Sequence, residues 1–213
     1  MKEDKIGFYE LFYIFLFGCI FGYFIEVLWS YYRFRIFINH TALVIGPFNL
    51  VYGCTAAVLT FVLYKYRNTN IYKLFFLSFI TGSILEYLIS FSMEKLVGFV
   101  AWDYSRYLFN INGRICLKYS IFWGILGVIW VKVIQPKVLA IIKKIPKAEG
   151  NIVLRILIVF MTLDWALTFI AVYRAQDKEK GIEPRNKFEE VLDDTFNKDY
   201  LSNMYNNRWI TKD

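Results

Sequence analysis

The chain has 213 residues, 57% of them hydrophobic and 20% aromatic, with a formal net charge of +7 and a mean hydropathy of +0.40. Water-soluble domains are less apolar, and the apolar residues here come in long blocks, so an ordinary soluble fold is excluded. The excess of Lys and Arg then speaks of orientation in a bilayer rather than of nucleic acid, which is not expected as a partner.

Five blocks approach the roughly 20 apolar residues that a spanning helix needs: residues 8–32, 47–66, 71–96, 114–134 and 152–173. The first follows Lys2 and Lys5 as a signal peptide would. It is too long for one and has no small-residue cleavage site, so an uncleaved span is expected. Within it Gly18, Gly22, Glu26 and Ser30 step by four and share one helix face. A carboxylate in a membrane helix is costly and belongs against protein or water, which makes Glu26 a candidate site residue.

The second block opens on Gly46-Pro47-Phe48. The connection to the third block, near residues 68–70, is very short, so those two helices must be antiparallel neighbours. In the third block, 60 positions beyond the first stripe, Ser78, Gly82, Glu86 and Ser90 repeat it. Two adjacent carboxylates would not both ionise without cations beside them. The linker carries Trp102-Asp103-Tyr104-Ser105 and then Asn110, Asn112 and Gly113. Trp and Tyr suit the membrane interface, and Asp103 and Asn110 offer acceptors should the loop fold inward as a lid.

The fourth block begins with Gly113-Arg114. Its Gly113, Leu117, Tyr119 and Ser120 match Gly46, Leu50, Tyr52 and Gly53 at an offset of 67. The spacing predicts a parallel duplication, with repeat halves of about 8–66 and 71–134 and seven extra residues in the second. Arg114 and Lys118, expected one turn apart on this helix, are candidate cations for the glutamates; the alternative for Arg114 is snorkelling to headgroups. The fifth block carries Asp164 at mid-span with Thr168 a turn later, and Lys118 is the expected partner of that aspartate.

The expected fold is therefore an all-α integral membrane domain over residues 1–173, with two helical-hairpin repeats and a fifth span. A polar tail follows over 174–213. In that tail Phe188, Val191, Leu192 and Phe196 recur at helical spacing and predict a short amphipathic helix, either docked on the bundle or placed at headgroup level. Lys and Arg near the span ends divide eleven to six in favour of the N-terminal side, which predicts a cytoplasmic N-terminus.

His40 is the lone histidine, which rules out a His-based metal cluster, and neither a P-loop nor a G-x-S-x-G elbow is present. No catalytic residue, metal or cofactor is expected. The candidate polar site comprises Glu26, Glu86, Trp102, Asp103, Tyr104, Asn110, Arg114, Lys118 and Asp164.

The G-x-x-x-E helices, the Gly46-Pro47-Phe48…Tyr52-Gly53 segment and the Trp102-Asp103-Tyr104-Ser105…Asn112-Gly113-Arg114-Ile115-Cys116-Leu117 run resemble the putative ABC-transporter type IV family, or CmpB-like permeases, of bacteria. The resemblance covers about residues 18–136. Members usually carry Arg-Gly shortly before the Gly-Pro-Phe segment, where this chain has Asn39-His40-Thr41. The resemblance implies a permease-like protein of a bacterial plasma membrane, working with a separate ATPase or other membrane subunit and with membrane lipid; a homo-oligomer stays open. Two other readings of the same residues stay open: an intramembrane enzyme acting on a lipid or isoprenoid headgroup, and a non-transporting partner subunit.

Overall fold

A computed structural model describes residues 6–97, 100, 102–197 and 200–201. Lys2 and Lys5, which entered the orientation count, and the end of the tail lie outside the described residues.

The first element, α1, is Phe8–Phe34, apolar around most of its circumference. It stops at Arg35, which turns into the left-handed region (φ 59°) and returns its N–H to the carbonyl of Tyr31. Residues 36–49 are not helical. They fold back around Thr41, whose hydroxyl lies 2.8 Å from the Gly46 carbonyl and 3.0 Å from that of Leu43. The Ala42 N–H donates to the Phe48 carbonyl at 2.7 Å. Helix α2 then runs Leu50–Leu63 and ends in a tighter turn over Tyr64–Tyr66. Its 14 residues rise only about 21 Å. The expected span from 47 is thus cut short at its start by the folded segment: Gly46 takes a positive φ (83°) and Asn49 is still extended (φ −94°, ψ 97°).

Helix α3 is Ile71–Val97. A two-stranded hairpin follows, β1 Asn110–Ile111 against β2 Ile115–Cys116, antiparallel. Helix α4 starts at Leu117 and runs to Ile129, widens into a π turn over Trp130–Ile134 and continues as α5, Gln135–Ile142. The π turn sits where Pro136 clashes with the carbonyl a turn before it. The fourth span therefore begins three residues later than expected and passes through Pro136 rather than ending before it. Helix α6, Lys147–Glu179, is longer than the expected 152–173, and α7 is Lys187–Thr195.

Among the described residues four helices are long and apolar enough to cross a membrane: Phe8–Phe34, Ile71–Leu96, Leu117–Ile142 and Lys147–Glu179. Leu50–Tyr66 is apolar but shorter. The chain is an all-helical, multi-pass membrane protein; of the five expected spans, four fall on helices of that length and the second falls on the shorter one.

Helix α1 packs along α2, and α3 along α4. Gly18 and Gly22 let the α2 backbone and Tyr52 approach α1; Gly82 and Gly124 do the same for Trp123 and Phe75 between α3 and α4. The core joins Ile14 of α1, Ala56 of α2, Ile142 of α5 and Leu154 of α6; a second cluster joins Leu59 and Leu63 to Leu74 and Val131. Lys147 pairs with Glu10 at 3.2 Å, and Lys132 donates to the Arg67 carbonyl at 2.6 Å, so the start of α1 and the α2–α3 and α5–α6 connections lie at one end of the bundle. The opposite end holds the 36–49 segment, the 102–116 linker and the tail.

Candidate polar sites in the membrane bundle

Glu86 is the more enclosed of the two repeated glutamates, 7% exposed. Its Oε2 accepts from Trp123 Nε1 at 2.9 Å and its Oε1 from the Tyr104 hydroxyl at 3.0 Å. Trp123 fills the space left by Gly82: a Cβ on that glycine would lie 2.6 Å from the Trp123 Cβ. Tyr104 reaches Glu86 because the 102–116 linker folds inward, with its N–H donating to the Gly113 carbonyl at 2.7 Å. Its ring stacks on Tyr119 of α4 with centroids 4.5 Å apart. Burial, and then the negative charge of Glu86, hold the Tyr104 phenol far above the ordinary tyrosine range. It therefore stays a donor.

Glu26 is half-buried and accepts from the Tyr52 hydroxyl at 2.7 Å. Its partner thus comes from α2, whereas those of Glu86 come from α4 and the linker. Among the described residues no hydrogen bond links the two carboxyls, and no Lys or Arg pairs with either.

The expected cations are engaged elsewhere. Arg114 lies in the hairpin, before α4 begins, so it does not share a helical turn with Lys118. Its guanidinium pairs with Glu94 and lies 3.3 Å from the Ser90 hydroxyl, between the rings of Tyr87 and Phe91. Lys118 is exposed, with its ammonium over the rings of Tyr107 and Tyr119 at 5.4 and 5.6 Å. Trp102 donates from Nε1 to the Arg114 carbonyl at 2.9 Å; Asp103 accepts from the Ser105 N–H at 2.9 Å. Asn110 ties the linker together through the carbonyls of Ser105 and Tyr107 and the N–H of Gly113. These contacts tie the linker together.

Asp164 does not meet Lys118. It is 2% exposed, and its Oδ1 accepts from the backbone N–H of Ile45 at 3.1 Å. Thr168, a turn later, accepts from the Val44 N–H at 2.9 Å. Mid-span polar groups of α6 thus satisfy the backbone of the folded 36–49 segment. Irregular backbone at membrane depth persists only where protein satisfies it in this way.

A family model described as putative ABC-transporter type IV matches residues 13–169. The chain belongs to that family. Comparison with curated proteins and with solved structures gave no match. In this type IV family member the match takes in both glutamate helices, the Gly-Pro-Phe segment, the linker and the Asp164 clamp.

Sequence reasoning missed Trp123 and Glu94, and named Ser30 and His40 without pairing them. Trp123 was an indole inside an apolar run; the signal was Gly82, whose missing side chain leaves room for it. Glu94 pairs with Arg114 from two turns beyond Glu86. Ser30 and His40 hydrogen-bond at 2.6 Å (Ser30 Oγ to His40 Nε2). Ser30 and Ser90 end the two matching stripes, and each ties down the segment that follows its helix, through His40 and through Arg114. Ser30 is buried. Among the described residues no group of three or more His, Cys, Asp or Glu side chains could hold a metal ion.

Proposed function

We propose that this chain is a permease-like membrane subunit in which Glu86, with Tyr104 and Trp123, binds a proton or small cation during transport. Glu26 with Tyr52 is the corresponding group of the first half, in a parallel duplication of α1–α2 and α3–α4. The observation that carries the proposal is Glu86: a carboxyl stripped of water on a membrane helix, held by two neutral donors, with no positive side chain beside it. Such a group must take a proton or a cation, since an isolated buried carboxylate is strongly disfavoured. Arg114 cannot balance it, because Glu94 already does that work for Arg114.

The two carboxyls act in this reading as separate sites, one in each hairpin, instead of sharing one pocket. Tyr104 makes the linker the cover of the second site, as a tether that must yield for an ion to enter from that end. The family description favours a separate ATPase as partner. The charge distribution supports an N-terminus in the cytoplasm of a bacterial plasma membrane, which puts the linker and tail outside. Residues to 173 would form the membrane domain and those from 174 its polar tail.

The test is flux. Purified protein in liposomes loaded with pH- or sodium-sensitive dye should dissipate an imposed gradient, alone or with its co-purifying ATPase. Glu86→Gln should abolish that flux, and Glu26→Gln should reduce it. Full flux in folded Glu86→Gln would overturn the proposal.

A further inference from the structure

The tip of the 102–116 linker carries three side chains that water does not favour. Tyr107 is exposed, Leu108 is 84% exposed and Phe109 is 78% exposed. Phe109 also has a positive φ of 53°, a conformation that bulky residues avoid. Exposure to water is unfavourable for these side chains and the backbone of Phe109 is strained, yet Asn110 holds the tip in this shape. Its amide donates to the Ser105 and Tyr107 carbonyls at 3.2 and 2.9 Å, and its side-chain oxygen receives the Gly113 N–H at 3.1 Å.

The position of the tip says what it meets. Tyr107 packs edge-on against Tyr119, with centroids 5.8 Å apart, and Lys118 lays its ammonium over the Tyr107 ring at 5.4 Å. Lys118 shares its face of α4 with Phe122, which is 65% exposed and one turn deeper on a membrane-spanning helix. The tip therefore continues the lipid-facing surface of α4 at the end of that span. Arg106, also exposed, precedes it directly. An apolar wedge flanked by two basic groups matches acyl chains below and anionic phosphates at the surface.

We infer that residues 107–109 are a lipid anchor: Leu108 and Phe109 enter the acyl boundary of the leaflet, with Arg106 and Lys118 at the phosphates. The anchor is built on the same linker as Tyr104, three residues away, so the tyrosine over Glu86 is held to the bilayer itself. The inference is independent of what Glu86 binds.

Spin labels test it in vesicles of phosphatidylethanolamine and phosphatidylglycerol. Leu108→Cys and Phe109→Cys are labelled in a Cys54→Ser background, which removes the exposed native thiol. Asn112→Cys serves as the polar reference on the same loop. Labels at 108 and 109 should collide with dissolved oxygen several-fold more than with a water-soluble nickel chelate, and the label at 112 should show the reverse. Equal or greater access of the chelate at 108 and 109 would overturn the anchor, as would shielding from both relaxants, which would mean that protein covers the tip. Replacing phosphatidylglycerol by phosphatidylcholine should make the labels at 108 and 109 shallower in the parent and leave them unchanged when Arg106 and Lys118 are both Gln. The same lipid dependence in both backgrounds would remove the basic residues from the anchor.

Discussion

Replacing Asp164 by Ala should loosen a segment more than a hundred positions away in sequence. The wild-type carboxyl receives the Ile45 N–H at 3.1 Å, and Thr168 receives that of Val44 at 2.9 Å. In Asp164→Ala the Ile45 N–H loses this partly buried acceptor. A buried donor left unpaired costs about 1–3 kcal/mol, whereas polar contacts between membrane helices average nearer ~0.6 kcal/mol. The contact is only partly buried, so the lower part of the first range applies, about 1.5 kcal/mol. At about 1.4 kcal/mol per decade, amides of residues 41–48 should exchange roughly tenfold faster. Hydrogen exchange read by mass spectrometry in nanodiscs measures this directly, with peptides from α3 as the unaffected reference. Thr168→Val should speed the same peptide, and the two changes should not add, because they release one loop. Asp164→Asn keeps an acceptor oxygen and should retain most of the protection. Unchanged exchange over 41–48 in folded Asp164→Ala would refute the clamp.

Three other perturbations probe separate parts of the bundle. Gly82→Val puts methyl groups where a Cβ alone would sit 2.6 Å from Trp123, so it should destabilise the α3–α4 pair by about 1–3 kcal/mol in a detergent melt; a neutral result would refute that close approach. Arg174→Ala removes both hydrogen bonds to Asp193 and the one to the Ile182 carbonyl, so limited proteolysis within residues 180–195 should quicken while α1–α5 stay protected. Tyr104 has its pKa raised on folding, so its proton contributes stability fully below the unfolded value of about 10 and loses that contribution as pH climbs past it. The tyrosinate absorbance of wild type minus Tyr104→Phe should therefore stay flat while ordinary tyrosines titrate; a step at the ordinary pH would contradict the Tyr104–Glu86 contact.

The parts of the fold governed by local periodicity were readable from the chain. Glu26 and Glu86 announce themselves by stepping in fours with small residues, and the long apolar blocks match α1, α3, α4 and α6. What could not be read depends on pairing in space. Asp164 needed a partner, and the nearest one in kind was a lysine; the actual partner is a backbone N–H, which every residue carries and no pattern marks. Pro47 and Phe48, which extend the apolar block, hid the start of α2, because an enclosed loop and a buried helix have similar compositions. Arg114 was expected to serve Glu86, but the turn at Asn112 and Gly113 takes it out of α4 and gives it to Glu94.

The central claim is that the Glu86 carboxyl itself takes up the proton or cation. Infrared difference spectra of membrane-embedded protein, recorded on pH change and on sodium addition, observe that carboxyl without a transport assay. The account predicts carboxyl bands that disappear in Glu86→Gln and persist in Glu94→Gln. Difference bands that survive Glu86→Gln intact, or spectra in which neither ligand perturbs any carboxyl, would contradict it.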